Sequence, residues 1–361
     1  MKVVFTAGGT GGHLYPAIAV AEELTAMNGN IDILFIGGDR EVERAIIGKT
    51  GFRSEPLSVI GMPRNLSPRI ATFLWKLGRA SLKSRTILKR EKPSCLLATG
   101  GYVSGPPVLA ARSLGIPVCL QEQNSYPGIA TRQLARFADT VFLGFSDAAK
   151  YLPHATVMMT GNPVRRGIDR GDRKTGAASF GFSPSVKTVF ALGGSLGARA
   201  VNETVAAIAT GIAEQGYQLI WQTGAAEYDR WKTHEVPGRI RVLPYLDNMA
   251  QAYAATDLVI SRAGAMTLAE LTICGLPSIL VPLPSAAANH QEHNARSLEH
   301  AGAAVVIVQK NLTPDLLKAE VFAILSGDVK RRAMAEASQG MGNRESARVI
   351  AGHLLETYGN G

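Results

Sequence analysis

Short apolar runs bounded by glycine, proline and small polar residues recur along the chain, with stretches of helical period between them. In the first half the runs fall at 3–6, 31–36, 95–98, 118–120, 140–143 and 157–158. Runs of this length without polar alternation read as strands buried on both faces, the habit of parallel sheets. Residues 17–27 and 41–49 have the helical period, and Pro16 suits a first helical turn. Residues 166–185 are polar and rich in Gly, Arg and Lys, and after them the pattern restarts. Runs at 189–192, 217–221, 240–243, 258–260 and 278–281 alternate with helical stretches at 202–210 and from Thr267 onward. Residues 344–357 end the pattern as a helix. The expectation is an α/β protein of two Rossmann-like, doubly wound domains. Their bounds are set at 1–163 and 164–340, with 341–361 a helix crossing back to the first domain.

A length of 361 residues suits two domains, and a hydrophobic content of 46% fills their cores. The net charge of +9 is a basic excess that favours a phosphate-rich or anionic partner. Cys95, Cys119 and Cys274 lie in apolar segments and form no C-x-x-C, so they read as small core residues in a reducing compartment. Met1-Lys2 leads straight into a strand, and no apolar run is long enough to span a bilayer, so a cytoplasmic protein is expected.

The glycines cluster in loops that follow the apolar runs. A-G-G-T-G-G-H (7–13), T-G-G-Y-V-S-G-P (99–106) and G-G-S-L-G-A-R (193–199) each join a strand to a helical stretch. Glycine there lets backbone approach a ligand, and a helix N-terminus favours an anion. Gln121, Glu122, Gln123 and Asn124 end the 118–120 strand, and Arg165 in G-N-P-V-R can reach a phosphate. In the second half, Glu270 lies in a helix after the 258–260 strand, where a carboxylate can accept from both hydroxyls of a ribose. Thr267-x-x-Glu270 is equally an ordinary capping box. Gln291 opens a later helix and points to the same crevice, or is a solvated helix residue.

Several chemistries are excluded. No G-x-x-x-x-G-K-[ST] occurs, so a P-loop is not present. Asp39 resembles a ribose-binding acid of a dehydrogenase, but G-x-G-x-x-G is missing. No D-x-D and no His/Cys cluster points to a metal, so metal-free chemistry without a cofactor is expected. Residues 69–92 carry Arg69, Lys76, Arg79, Lys83, Arg85, Lys89, Arg90 and Lys92 against Glu91, with Phe73, Leu74 and Trp75 among them. Such a helix lies on anionic lipid or packs on its own domain with solvated lysines. No recognition motif supports nucleic acid.

The motifs G-G-T-G-G-H-x-x-P, T-G-G-Y-V-S-G-P, E-Q-N, G-N-P-V-R, G-G-S-L-G-A-R and L-A-E…H-Q-x-x-N-A occur in this order across nearly the whole chain. In this the sequence resembles the peptidoglycan N-acetylglucosaminyltransferases of the GT-B class. The resemblance implies two domains facing across a cleft and inverting transfer of GlcNAc from UDP-GlcNAc to undecaprenyl-pyrophosphoryl-MurNAc-pentapeptide (lipid I). The product is lipid II, made at the cytoplasmic face of the cell membrane by a peripheral enzyme. A UDP-GlcNAc 2-epimerase shares such a fold and is the alternative. The donor contacts the resemblance implies are Thr10, Gly11, Gly12, Asn124, Arg165, Ser195, the backbone of Leu246, Ala265, Met266, Thr267, Leu268, Ala269, Glu270 and Gln291. Gly101, Tyr102 and Ser104 fall on the acceptor side, and Phe73, Leu74, Trp75, Lys76 and Arg79 on the membrane face. His13 is the candidate base, with Glu122 its rival. The sequence departs from the family at Leu196, often Gln, and at Gln121, often His.

Overall fold

The computed structural model describes residues 1–61, 69–194, 197–286 and 289–359. They form two compact units, Met1–Arg165 with Arg344–Gly361, and Arg166–Asn343.

The first unit holds strands β1 (Lys2–Ala7), β2 (Asp32–Gly38), β3 (Arg53–Leu57), β4 (Cys95–Gly100), β5 (Val118–Glu122), β6 (Thr140–Leu143) and β7 (Val157–Met159). Its helices are α1 (Gly11–Met27), α2 (Glu41–Gly48), α3 (Arg69–Glu91), α4 (Gly105–Ser113) and α5 (Ile129–Leu134). The sheet order is β3-β2-β1-β4-β5-β6-β7, with every pairing parallel. Alternate residues of the inner strands β1, β2, β4, β5 and β6 feed two separate cores. Val3, Phe5, Phe35, Leu97 and Phe142 join the core under α1, and Val4, Leu34, Leu96, Leu120 and Val141 join the core under α3 and α4. Burial on both faces is why these strands appear as unbroken apolar runs.

The second unit begins with α6 (Arg173–Ser179). It continues through β8 (Thr188–Leu192), α7 (Arg199–Glu214), β9 (Gln218–Gln222), α8 (Tyr228–Trp231), β10 (Ile240–Leu243) and α9 (Met249–Ala255). After β11 (Leu258–Ser261), α10 (Ala265–Ile273), β12 (Ser278–Leu280), α11 (His290–His300) and β13 (Ala304–Val306), it ends with α12 (Pro314–Ser326) and α13 (Asp328–Met341). Its parallel sheet runs β10-β9-β8-β11-β12-β13. The last helix, α14 (Ser346–Tyr358), places Ile350, Ala351 and Leu354 in the first unit's α1 core.

Several elements differ from the sequence reading. Helix α1 begins at Gly11, so Pro16 stands inside it rather than in its first turn. The backbone carbonyl of Thr10 accepts from the N–H groups of His13 and Leu14, which starts the helix within the glycine loop. Strand β3 was not visible as an apolar run. It is an edge strand, R-S-E-P-L, and an edge tolerates polar residues and Pro56 because one side of its ladder is unpaired. The polar stretch 166–185 contains α6, capped by Asp172 and pressed onto α9. A Cβ at Gly176 would sit 2.4 Å from the Gln251 carbonyl oxygen, so that contact requires glycine.

The amino ends of the first sheet are clamped by charge. Glu91, at the end of α3, accepts from Lys2 Nζ at 2.7 Å, Arg53 Nη2 at 3.1 Å and Arg90 Nε at 2.9 Å. Lys2 also pairs with Asp32 at 3.0 Å. Lysine and the two arginines hold the buried Glu91 carboxyl down at about 2, against an ordinary 4.5. A depressed folded-state pKa gives stability that is present above the unfolded value and lost as pH falls through the folded one. Glu91→Gln should therefore cost about 1–2 kcal/mol at pH 7, since its partners are partly solvated. In thermal melts the gap between variant and parent should narrow below pH 4.5 and close near pH 2. A gap that persists unchanged at pH 3 contradicts the clamp.

Candidate active site

In each unit the strand order reverses once, between β1 and β4 and between β8 and β11. Loops leaving the carboxyl ends of those strands diverge, and the opening is where such sheets bind ligands. The three glycine loops and the stretch before α10 all lie at these two places.

At the first reversal, His13 is the third residue of α1. Its Nδ1 lies 3.1 Å from the Thr99 carbonyl oxygen and 3.0 Å from Gln123 Oε1. Gln123 donates its amide to the Thr99 and Gln121 carbonyls at 2.6 and 3.2 Å, which orients its oxygen toward His13. Two acceptors at Nδ1 mean that this nitrogen carries the proton of the neutral ring, leaving Nε2 a lone pair. The Thr99 hydroxyl in turn donates to the His13 carbonyl at 2.7 Å. The second glycine loop is shaped around this ring. Gly100 has φ 106°, and a Cβ there would come within 2.8 Å of His13 Nδ1. A Cβ at Gly101 would sit 2.0 Å from the Gly8 carbonyl oxygen.

A buried carboxylate that the sequence reading did not single out braces the first loop. Glu43 of α2 accepts from the N–H groups of Gly9 and Gly38, both at 3.0 Å. Its only signal was an acid at helical spacing on the inward face of a short helix. Tyr102 stands beside Gly9, with the Arg40 guanidinium 5.5 Å over its ring. Ser104 is buried, and its hydroxyl donates to the Gly100 carbonyl at 2.7 Å, so it holds the turn.

Glu122 is the last residue of β5, at the strand end expected for it, and it is 2% exposed. Its carboxylate accepts from the Asn124 N–H and side-chain amide, both at 3.0 Å, and from the Gly128 N–H at 3.2 Å. It binds the loop to the strand end, and Asn124 is turned toward it. Gln121 donates to Asn162 Oδ1 at 3.0 Å, and Asn162 donates to the Gln123 carbonyl at 2.9 Å. The G-N-P motif thus ties the E-Q-N loop from behind. Arg165 stacks 4.6 Å over the Tyr15 ring, two residues along α1 from His13.

At the second reversal, Gly264 is the N-cap of α10, and Thr267 is the third helical residue. The capping-box alternative for Thr267 and Glu270 is therefore excluded. The Leu268 N–H donates to the Gly264 carbonyl at 3.0 Å, and the Leu268 side chain is 1% exposed. Leu268 is a core residue whose amide donates within the helix. Ala265, Met266 and Thr267 are the first-turn positions, whose N–H groups face the helix start. Ala269 and Glu270 are half-buried, and Glu270 Oε2 accepts from Tyr253 Oη at 2.8 Å. Gln291 sits in the first turn of α11 and accepts from the Leu283 N–H at 3.0 Å. The Leu246 N–H donates to Gln222 Oε1 at 3.1 Å. Ser195 and Leu196 lie outside the described residues. A Cβ at Gly197 in the same loop would meet the Thr223 carbonyl oxygen at 2.1 Å.

Helix α3 buries Ala80, Ser84, Ile87, Leu88 and Glu91, a stripe at helical spacing. Leu74 and Trp75 remain 57% and 59% exposed, Arg79 stacks 4.7 Å over Trp75, and Phe73 and Lys76 are half-buried. No helix among the described residues is long and apolar enough to cross a membrane.

Two family models match the chain. The glycosyltransferase family 28 N-terminal domain covers residues 3–143 and the C-terminal domain of the same family covers 188–351. A protein of Acetivibrio thermocellus is 40% identical over 95% of this chain and 94% of its own length. One of Halothermothrix orenii is 40% identical over the whole of both. Each bears the name UDP-N-acetylglucosamine--N-acetylmuramyl-(pentapeptide) pyrophosphoryl-undecaprenol N-acetylglucosamine transferase. Among solved structures, Acinetobacter baumannii MurG superposes with a TM-score of 0.77 at 27% identity, covering 98% of this chain and 99% of that one. A UDP-GlcNAc 2-epimerase from Neisseria meningitidis bound to UDP-GlcNAc reaches 0.70 at 14% identity, covering 99% of this chain and 100% of that one, a likeness of fold alone.

The His13 geometry is directly measurable. Imidazole ¹⁵N spectra recorded above neutrality should show Nδ1 protonated and Nε2 bare. Gly100→Ala, which drives a methyl group into the ring, should mix the two tautomers. A spectrum unaltered by Gly100→Ala contradicts the described packing.

Proposed function

The chain belongs to glycosyltransferase family 28, and from that premise we propose that it transfers GlcNAc from UDP-GlcNAc to undecaprenyl-pyrophosphoryl-MurNAc-pentapeptide, giving lipid II for peptidoglycan. The observation that carries the reading is 40% identity over essentially full length to transferases of that name. The epimerases resemble it only in fold.

His13 serves as the base in this reading. As the sugar–diphosphate bond breaks, Nε2 takes the proton of the attacking acceptor hydroxyl. The Thr99 carbonyl and Gln123 amide oxygen at Nδ1 then stabilise the imidazolium that forms. Glu122 holds the loop, its oxygens being occupied by backbone and Asn124 donors. On the donor side, the N-terminus of α10 meets the diphosphate through the amides of Ala265, Met266 and Thr267 and the helix dipole. Glu270 accepts from the ribose hydroxyls, the Leu246 carbonyl accepts from the uracil imide, and Gln291 adds a polar contact. Thr10, Gly11, Gly12, Asn124 and Arg165 contact substrate, with Gly101 and Tyr102 beside the acceptor. Backbone amides and cationic side chains thus meet the leaving-group charge without a metal.

The exposed face of α3 docks the enzyme on the anionic cytoplasmic leaflet. A groove of about 410 Å³ beside it is lined by Ser58, Trp75, Lys76, Arg79 and Lys83. Each basic side chain held near such a surface contributes about 1 kcal/mol, and the exposed Leu74 and Trp75 add apolar burial.

The deciding experiment incubates pure protein with labelled UDP-GlcNAc and lipid I, with UDP-glucose as control. Lipid-linked disaccharide is expected, and free sugar or ManNAc formed without acceptor would establish the epimerase instead. In the same assay His13→Ala should lower kcat about 10²–10⁴-fold with UDP affinity nearly unchanged. Near-normal kcat removes His13 from the role of base. For the membrane face, replacing Phe73, Trp75 and Lys76 together by Ser should weaken binding to anionic vesicles. Transfer to a short, soluble acceptor should survive. Vesicle binding equal to the parent's leaves α3 as a packed helix only.

A further inference from the structure

We infer that Tyr253 is a positioning residue for the Glu270 carboxylate, and that through it the site discriminates ribonucleotides from 2′-deoxyribonucleotides. The inference rests on the reading of Glu270 as the ribose contact.

Tyr253 lies on α9 and Glu270 on α10, the helices that flank β11 in the chain. The phenol is 2% exposed, and its ring packs against Phe190 of β8 at 5.9 Å between centroids. Two torsions and a wall of core therefore fix the position of its hydroxyl. That hydroxyl donates to Glu270 Oε2 at 2.8 Å. A glutamate has three side-chain torsions, and a half-exposed one loses ligand affinity by sampling rotamers that miss the ligand. A vicinal diol makes a stricter demand than a single hydroxyl, because both of its donors must find the carboxylate in one orientation. A charge-assisted bond from a rigid phenol supplies that orientation before the nucleotide arrives. Phenylalanine fills the same core space without the donor, so Tyr253→Phe isolates the hydroxyl.

The test measures UDP and 2′-deoxy-UDP binding to the full-length chain by calorimetry, for the parent, Y253F, E270A and the double variant. Y253F should weaken UDP about five- to tenfold, the upper part of the net contribution of one intramolecular hydrogen bond. The KM for UDP-GlcNAc should rise with it while kcat stays within about twofold. The preference for UDP over 2′-deoxy-UDP should shrink. In the E270A background, Y253F should cost less than about twofold, since residues acting through one another are not additive. Equal losses for the two nucleotides, or a full loss in the E270A background, mean that Tyr253 acts through the fold, and overturn the inference. So does a Y253F protein that binds UDP as the parent does while E270A binds weakly. An E270A protein that binds UDP as the parent does overturns the ribose reading itself.

Discussion

Parallel strands must be joined by crossovers, and a sheet built outward from its middle must reverse its order once. That constraint governs both units. In the first, β1 is followed outward by β2 and β3, and the chain then returns to place β4 on the other side of β1. In the second, β8 is followed outward by β9 and β10, and β11 returns beside β8. At each reversal two loops part in opposite directions, and the carboxyl ends of two central strands lie open. His13 and Glu270 are placed by this topology more than by their neighbours in sequence.

The loops at the first reversal are held by buried polar groups rather than by apolar packing. Glu43 takes two glycine amides, Glu122 takes two backbone amides and the Asn124 side chain, and Asn162 ties Gln121 to the Gln123 carbonyl. Each bond satisfies a group that would otherwise be costly to bury, and each fixes a loop that contains almost no apolar anchor. The result is an imidazole whose tautomer is set by two acceptors and whose walls are glycine backbone. The charged clamp of Glu91 lies at the opposite, amino ends of the strands, where Lys2, Asp32 and Arg53 begin β1, β2 and β3. The glycine loops and the charged clamp thus occupy opposite ends of the same strands.

Much of this was legible in the chain. Strands buried on both faces cannot alternate, so Val3 to Thr6 and Val189 to Leu192 announced themselves as unbroken apolar runs. Gly100, Gly101 and Gly197 sit at positive φ against backbone or ring atoms that exclude a Cβ, and glycine loops after strands were visible for that reason. Six motifs in order carried the family. The edge strand β3 escaped notice because an edge demands no apolar run.

What the sequence could not decide was which of two roles a polar residue plays, since the same spacing serves both. Thr267 and Glu270 have the spacing of a capping box, and only the start of α10 at Gly264 and Ala265 removes that reading. Glu122 and His13 were rival bases by position. The donors around one carboxylate and the acceptors at the other's Nδ1 come from contacts with Asn124, Gly128, Thr99 and Gln123. Leu268 stands in the same stretch with its side chain in the core. Glu43 and Tyr253 matched nothing, yet one braces the first glycine loop and the other holds Glu270. Local periodicity determines where chain is apolar and where it turns. Which polar atoms meet depends on strands brought together across tens of residues, and that only the tertiary structure decided.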